Sequence, residues 1–176
     1  MFKILFLFIS YSEIILHNFM NNFKKNKIKN LKICTENKKR IDYVKSYDDI
    51  EQILKIYRNN FKDSLDSELK NYLLKTPDLT YILYVDNKII GYATFRLSTK
   101  LWLYSTSIVQ EYQNKGLGKE LLSYALEDVL KKTKKKNVFL IVNSANNARF
   151  LYNKLLFNEI IFFSSGKKII MKKTII

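Results

Sequence analysis

A glycine-containing loop lies between an apolar strand pattern and an amphipathic helix pattern, and its residue types suit the binding of an anion. Gly116 and Gly118 lack side chains, so an anion can reach the backbone there, and Lys115 and Lys119 add positive charge. The first turn of a helix presents N–H groups without intrahelical partners, and the helix dipole adds about half a positive charge. The spacing of Gln113, Gly116 and Gly118 therefore predicts a diphosphate site.

The same loop does not fit the two common nucleotide-binding patterns. A dinucleotide-binding loop reads Gly-x-Gly-x-x-Gly near the start of a doubly wound sheet, and a P-loop ends in Gly-Lys-Ser/Thr. Here Gly118 and Lys119 are followed by Glu120, which has no hydroxyl. Neither of those two ligand classes is therefore indicated.

The scarcity of Cys and His excludes several kinds of site. Cys34 is the only cysteine and His17 the only histidine, and both lie in the first 40 residues. An internal disulfide is therefore ruled out, and the main body holds no His–Cys zinc site and no Ser-His triad. We expect no metal.

A second pattern lies near the end of the chain, where Ala148 and Tyr152 are four residues apart in a predicted helix, with Asn146 just before them. A tyrosine hydroxyl has a pKa of about 10, so it is protonated at neutral pH and can act as a donor. Tyr152 also fits a core aromatic beside Phe150 and Phe157. The residues alone leave both roles open.

Taken together, the two segments resemble the GNAT superfamily of N-acetyltransferases, and the resemblance covers about residues 41–176. Ile108–Leu122 is similar to the family's Arg/Gln-x-x-Gly-x-Gly/Ala segment, and Asn146–Phe157 to its Asn-x-x-Ala-x-x-x-Tyr-x-x-x-Gly-Phe segment. Asn146 stands one residue late, and Leu156 replaces the usual Gly. The resemblance implies acetyl-CoA as co-substrate, an amine acceptor and direct transfer of the acetyl group between them.

The resemblance also assigns roles to residues. Tyr152 is expected to be the general acid that protonates the leaving thiolate of CoA. Ile108 and Val109 are expected to pair with the pantetheine amides in the manner of an added strand, and a backbone N–H near Ile108 would hold the thioester carbonyl. The further cofactor-binding residues implied are Gln113, Asn114, Lys115, Gly116, Leu117, Gly118, Lys119 and Asn146.

No carboxylate base can be named on the two strands where many relatives carry one. Trp102–Ser107 and Phe139–Val142 contain neither Asp nor Glu. Tyr104, Ser105 and Ser107 are candidates for a water relay that removes the proton, although ordinary strand positions explain these hydroxyls equally.

The missing base bears on the acceptor. A Lys side chain with a pKa near 10.4 is neutral about once in a few thousand at pH 7, whereas an α-amine near 7.7–8.0 is neutral roughly one time in ten. We therefore expect protein N-terminal α-amines, or a low-pKa small amine such as an amino sugar phosphate. The alternative is a catalytically inactive, CoA-binding regulatory domain.

The apolar periodicity predicts an α/β (α+β) domain with the order β-α-α-β-β-β-α-β-α-β-β. The GNAT resemblance implies a mixed, mostly antiparallel sheet of about seven strands with four helices, splayed between the fourth and fifth strands. Gly91 is expected at a bulge or close approach, and Val138–Val142 is expected to be buried on both faces. The predicted strands are 41–44, Thr80–Val85, Ile89–Leu97, Leu101–Val109, Val138–Val142, Glu159–Phe163 and Lys168–Met171; the predicted helices begin at Asp48 and at Ser64 or Asp66, and span Leu117–Lys132 and Ala145–Leu156.

Residues 1–40 differ in composition from residues 41–176, which we expect to form the domain. Ile4–Ile9 is apolar but too short to span a membrane, and Asn21–Arg40 is rich in Lys and Asn. This pattern predicts a plastid or other organelle leader, or else an extension that is disordered or misassigned, with translation starting at Met20. Without a leader we expect a cytoplasmic protein. The net charge of +15 favours an anionic partner or reflects a Lys-rich composition, and Lys131–Lys136 fits a helix end, so we expect no nucleic acid partner. The sequence does not indicate the oligomeric state.

Overall fold

The computed structural model of the protein describes residues 38–61 and 66–174. Its elements follow the predicted order, and the first strand begins at Lys39, two residues before the expected domain boundary. Residues 1–37 of the expected leader lie outside the described residues. The strands are β1 (Lys39–Tyr43), β2 (Thr80–Val85), β3 (Lys88–Leu97), β4 (Leu101–Ile108), β5 (Asn137–Asn143), β6 (Asn158–Phe163) and β7 (Lys168–Thr174), and the helices are α1 (Tyr47–Asn60), α2 (Asp66–Lys75), α3 (Leu117–Thr133) and α4 (Ala148–Lys154).

The seven strands form one sheet in the order β1-β2-β3-β4-β5-β7-β6. All neighbours are antiparallel except β4 and β5, which α3 connects in parallel. These two strands pair only at Leu101 with Val138 and at Trp102 with Phe139, and then they separate. The predicted splay between the fourth and fifth strands is therefore confirmed, and it leaves a gap beside the second half of β4.

Helices cover the two faces of the sheet unequally. The core on one face includes residues of α3 and α4, and it extends across the sheet to β5 and β7. The core on the other face joins α1 and α2 to β2 and β3, with Tyr104 of β4 packed against it. The described residues contain no helix long and apolar enough to cross a membrane.

The expectation that β5 is buried on both faces is wrong. Its burial alternates, with Val138, Leu140 and Val142 buried while Ile141 is 52% exposed. The physical reason is that the core built by α1 and α2 contains no residue of β5, so one face of this strand lies open.

Two helix boundaries also differ from those predicted. The N-cap of α1 is Ser46 rather than Asp48: the Ser46 hydroxyl accepts from the N–H of Asp49 (3.1 Å), and the Asp49 carboxylate accepts from the N–H of Ser46 (3.0 Å). Helix α4 spans Ala148–Lys154 instead of Ala145–Leu156. Before it, the side-chain oxygens of Asn143 and Asn146 accept from backbone N–H groups two residues further on, which favours turns over helix.

The capping box of α1 gives a direct test of this boundary. Replacing Ser46→Ala leaves an N–H of the first turn without its acceptor, so we expect the free energy of unfolding to fall by about 1 kcal/mol. Urea denaturation of the two proteins measures the difference. Ser123→Ala, on the exposed face of α3, is the control and should cause no loss; an equal loss in both variants would contradict the assignment of Ser46 as the cap.

Candidate active site

The loop before α3 leaves a run of backbone N–H groups available to a ligand. The N–H of Gln113 closes a short helical turn, and the next donors are Lys119 and Glu120, which both bond to the carbonyl of Gly116. Between them, the N–H groups of residues 114–118 donate to no acceptor in the described part of the chain. Five successive unpaired donors at the start of a 17-residue helix form a concentrated anion-binding surface.

The conformation of the loop keeps these donors open. Gly116 is the N-cap of α3 with φ of +79°, it provides no side-chain cap, and a Cβ there would meet no atom within 4 Å. Lys115 and Lys119 are exposed, whereas the Leu117 side chain is buried in the core. Unpaired N–H groups, a helix N-terminus and two lysines are the donor set that suits a diphosphate, so the residues present fit the ADP portion of CoA.

The end of β4 presents one further N–H group to the gap. Ile108 lies opposite Gly91, and the N–H of Val109 donates to the carbonyl of Ile90 (2.8 Å). In an antiparallel pair this pattern makes Gly91 and Ile108 a non-hydrogen-bonded pair, so the N–H of Ile108 points away from β3. It therefore points to the gap between β4 and β5, where a ligand can accept from it.

The expectation that Val109 also pairs with a ligand through its backbone is wrong. Its N–H is bound to Ile90, and its carbonyl accepts from the N–H of Tyr112 (2.9 Å), because β4 has ended and the chain already turns. The carbonyl of Ile108 is likewise engaged, since the Gln113 side chain donates to it (2.8 Å). Ile108 therefore offers only its N–H to a ligand.

Close packing holds Ile108 in place. A Cβ at Gly91 would lie 2.3 Å from Ile108 Cδ1 and 2.9 Å from the Ser107 carbonyl oxygen, so only glycine fits there. A Cβ at Gly118 would lie 3.4 Å from Leu151 Cδ2 and 3.7 Å from Ile108 Cγ1. The close approach expected at Gly91 is confirmed, and β4, α3 and α4 meet at this point.

Tyr152 combines a buried ring with an accessible hydroxyl. The residue is 8% exposed and its ring packs edge-on against Phe157. Its hydroxyl makes no hydrogen bond within the described residues. Among those residues, Asp66 Oδ1 is the one fully buried side-chain atom without a partner, so the Tyr152 oxygen is not fully buried. Burial raises the pKa of Tyr152 to about 12. The hydroxyl is therefore a protonated donor with an open position beside it.

A cavity of about 390 Å³ lies on the opposite face of the sheet from α3, beside the point where β4 and β5 separate. Its lining is aromatic and apolar with one cation and two hydroxyls. The residues are Arg96, Ser98, Trp102, Leu103, Tyr104 and Ile141.

Only one of the three hydroxyl residues expected to form a water relay lines this cavity. The pairing of β3 with β4 shifts by one residue, which leaves Tyr104 as a bulge between Leu103 and Ser105. The Ser105 hydroxyl is hydrogen-bonded to the hydroxyl of buried Tyr92 (2.7 Å). Tyr104 thus lines the cavity, whereas Ser105 is tied to the core and Ser107 lies further along the strand.

Asn146 belongs to a second, separate cavity of about 300 Å³ at the start of α4. Its side-chain oxygen accepts from the N–H of Ala148 (2.8 Å), so it supports the turn into the helix. Arg149 lines the same cavity and is held by the Glu159 carboxylate (2.6 Å) and the Ser144 carbonyl (2.7 Å). Among the described residues, no group of three or more His, Cys, Asp or Glu side chains could hold a metal ion.

The sheet that separates in its middle, together with a loop of unpaired donors leading into the crossover helix, is the arrangement that the family resemblance implied. A family model for acetyltransferases of the GNAT family matches residues 47–157. The chain belongs to the GNAT family. Members of this family use acetyl-CoA as the acyl donor.

Individual relatives show how far the similarity extends. The ribosomal protein bS18-alanine N-acetyltransferase of Haemophilus influenzae is 37% identical over 76 residues, which is 43% of this chain and 51% of the relative. The chain thus spans about half the length of this curated relative.

Solved structures of GNAT proteins share the fold. The ribosomal-protein-S18-alanine N-acetyltransferase of Escherichia coli has a TM-score of 0.62 at 24% identity, covering 78% of this chain and 94% of that chain. Arabidopsis thaliana Naa50 in complex with the bisubstrate analogue CoA-Ac-MVNAL has a TM-score of 0.66 at 18% identity, covering 78% and 99%.

Sequence reasoning missed part of this GNAT site. The Gln113 side chain joins the Ile108 carbonyl to the end of α1, where it also donates to Asn60 Oδ1 (3.3 Å). Arg96 and Ile141 of the cavity are likewise absent from the sequence-based predictions. Neither an Ile in an apolar run nor an Arg in a strand indicates a binding site from the sequence alone. Their exposure depends on which strands of the sheet the helices pack against.

Gly91 provides a test of the packing around Ile108. In Gly91→Ala the new methyl group collides with Ile108 Cδ1, so we expect the free energy of unfolding to fall by about 1–3 kcal/mol. Adding Ile108→Val removes that Cδ1 atom and should recover part of the loss. Chemical denaturation of the single and double variants measures the coupling. Losses that simply add would contradict the contact.

Proposed function

We propose that this protein is an acetyl-CoA-dependent N-acetyltransferase whose acceptor is an α-amine of low pKa, with protein N-termini as the favoured class. The observation that carries the proposal is the gap beside β4, which has the N–H of Ile108 on its edge and the unpaired N–H groups of residues 114–118 at its end. The loop would hold the diphosphate of CoA. The Ile108 N–H would bind the thioester carbonyl, an oxyanion-type contact.

The two reactants would approach from opposite faces of the sheet. Tyr152 belongs to the core on the α3 side, whereas the cavity of Trp102 and Tyr104 lies on the other side. The gap between β4 and β5 connects the faces, since the strands pair at only two positions. An amine in the cavity would therefore meet a thioester in the gap without a covalent enzyme intermediate.

The Tyr152 hydroxyl would protonate the leaving sulfur. In the reaction the amine nitrogen loses one proton, the C–N bond forms as the C–S bond breaks, and the sulfur gains one proton. A phenol with a pKa of about 12 is a weaker acid than a thiol, whose pKa is about 8.5. We therefore assign Tyr152 as a general acid that acts as a proton relay. Its hydroxyl donates a proton to the sulfur and takes a proton from the reacting nitrogen.

The absence of a carboxylate from the cavity lining favours an α-amine acceptor. None of the six lining residues is Asp or Glu, so the nucleophile depends on its own neutral fraction. The related Haemophilus influenzae protein is named for the acetylation of an alanine of bS18, and the Naa50 complex holds a peptide-linked CoA analogue. Both support a protein N-terminus over a Lys side chain. We further propose that the catalytic domain begins at Lys39, the first residue of β1, and includes the rest of the expected domain through residue 176. Residues 1–38 would then be dispensable for transfer.

The proposed acceptor class can be tested with two matched peptides. One carries a free α-amine and no Lys; the other has the same residues, a blocked N-terminus and one internal Lys. Because the α-amine has a neutral fraction roughly a few hundredfold larger at pH 7, we expect kcat/KM to favour it by about that factor. CoA release with a thiol reagent measures both. A preference for the ε-amine would contradict the proposed class.

Tyr152→Phe tests the role of the hydroxyl. We expect kcat to fall by about 100-fold while the Kd of CoA is unchanged, because the buried ring is kept.

Since the pKa of Tyr152 is raised to about 12, the hydroxyl stays protonated up to about pH 11. The rate of the unchanged protein should therefore rise through the α-amine pKa of about 7.7–8.0 and show no fall from Tyr152 below pH 11.

The control for this variant is Tyr104→Phe, which removes a hydroxyl from the cavity side and leaves the α3 side intact. CoA binding by calorimetry together with a complete lack of acetyl transfer in the unchanged protein would favour the regulatory alternative. No measurable CoA binding would overturn the cofactor assignment itself.

A further inference from the structure

Basic and aromatic side chains form a row across the open face of the sheet next to the cavity. Arg96 lies opposite Trp102, Trp102 opposite Phe139, and Phe139 opposite Lys172. Residues that are directly opposite in neighbouring strands share a face of the sheet. These four therefore form one row from β3 to β7, and Lys100 joins it with its Nζ 5.0 Å from the centre of the Phe139 ring.

Arg96 and Trp102 are the members of the row that line the cavity, and Arg96 is the charged one. Its guanidinium carbon lies 5.8 Å from the centre of the Tyr104 ring, and Nη1 lies 3.9 Å from the Glu68 carboxylate. Both partners of that ion pair are more than half exposed, so the pair is weak. A guanidinium has five donors in a planar fork, and it can therefore bind a second anion in a bidentate manner.

The charge along this row is unbalanced. Arg96 is the one charged residue of the cavity lining, with Glu68 as its partner, and Lys100 and Lys172 lie further along the row against the Phe139 ring. A surface that carries mainly one sign of charge attracts ligands of the opposite sign.

We propose that the acceptor carries an anionic group, a carboxylate or a phosphate, close to its reacting amine, and that Arg96 binds this group. The proposal rests on the proposed function and names the substrate class of its acceptor site. An acidic second residue in a protein N-terminus has this chemistry, and so does the phosphate of an amino sugar phosphate. Arg96 acts on acceptor choice and has no role in binding CoA.

The experiment compares acceptors that differ only in charge. One pair of peptides has Glu or Gln as the second residue after the same free α-amine, and one amino sugar is used with and without its phosphate. One of the two pairs, peptides or amino sugars, contains the protein's own class of acceptor. In that pair we expect kcat/KM to be about tenfold higher for the anionic member. Arg96→Gln should remove this preference, and Arg96→Glu should reverse it toward a peptide with Lys as the second residue.

Lys88→Gln is the matched control, because it removes one positive charge from the other, exposed end of the same strand. It should keep the preference, and all three variants should keep the KM of acetyl-CoA. Transfer to the neutral and acidic acceptors at equal rates would overturn the Arg96 proposal while leaving the acetyltransferase assignment intact. A preference that survives in Arg96→Gln would overturn it as well.

Absence of transfer to every acceptor would count against the proposed function instead. In that event, calorimetric binding of the Glu and Gln peptides to the CoA-loaded protein still decides the role of Arg96. Tighter, Arg96-dependent binding of the Glu peptide supports it, and equal binding overturns it. Salt-sensitive binding of a single-stranded oligonucleotide that displaces the Glu peptide would identify the row as a nucleic-acid surface and would also overturn the proposal.

Discussion

The early end of the pairing between β4 and β5 is the constraint on which the rest of the site depends. The two strands share only two residue pairs, so the second half of β4 has no neighbour on its β5 side. Backbone groups that lose a sheet partner must bond to water or to a ligand. A ligand that carries an amide or thioester carbonyl can accept from the Ile108 N–H, and the close packing of the Ile108 side chain on Gly91 and Gly118 holds that N–H in place.

The far end of α3 is anchored, which fixes the direction of its N-terminus. Tyr43 and Tyr81 both donate to Asp128 Oδ2, at 2.6 and 2.8 Å, and Lys132 forms an ion pair with the same carboxylate at 3.2 Å. Burial alone would raise the pKa of Asp128, but the two phenol hydrogen bonds and Lys132 lower it below its usual range. A charged carboxylate therefore joins α3 to β1 and β2. Since a helix is rigid over its 17 residues, this anchor helps to aim the unpaired N–H groups at its other end.

The parts of the fold that could be predicted are those set by local sequence. Asp86-Asn87, between the predicted strands Thr80–Val85 and Ile89–Leu97, is a residue pair typical of a two-residue hairpin turn, and both residues adopt the positive φ that such a turn requires. Gly91 stands where a side chain would collide. The glycine loop before α3 is equally local. By contrast, the bulge at Tyr104 depends on the pairing of two strands. The exposure of Ile141 depends on which strands the helices cover, and no apolar pattern contains that information.

The proposed relay explains how transfer can proceed without a carboxylate base. An α-amine of low pKa supplies its own neutral fraction, and burial raises the pKa of Tyr152, which keeps that hydroxyl protonated. In this relay the amine and the hydroxyl stand on opposite faces of the sheet and at opposite ends of the proton's path. A neutral amine still carries the proton that the sulfur must finally receive, and it releases this proton as the C–N bond forms. A cavity lining without Asp or Glu is therefore consistent with the chemistry rather than a defect in it.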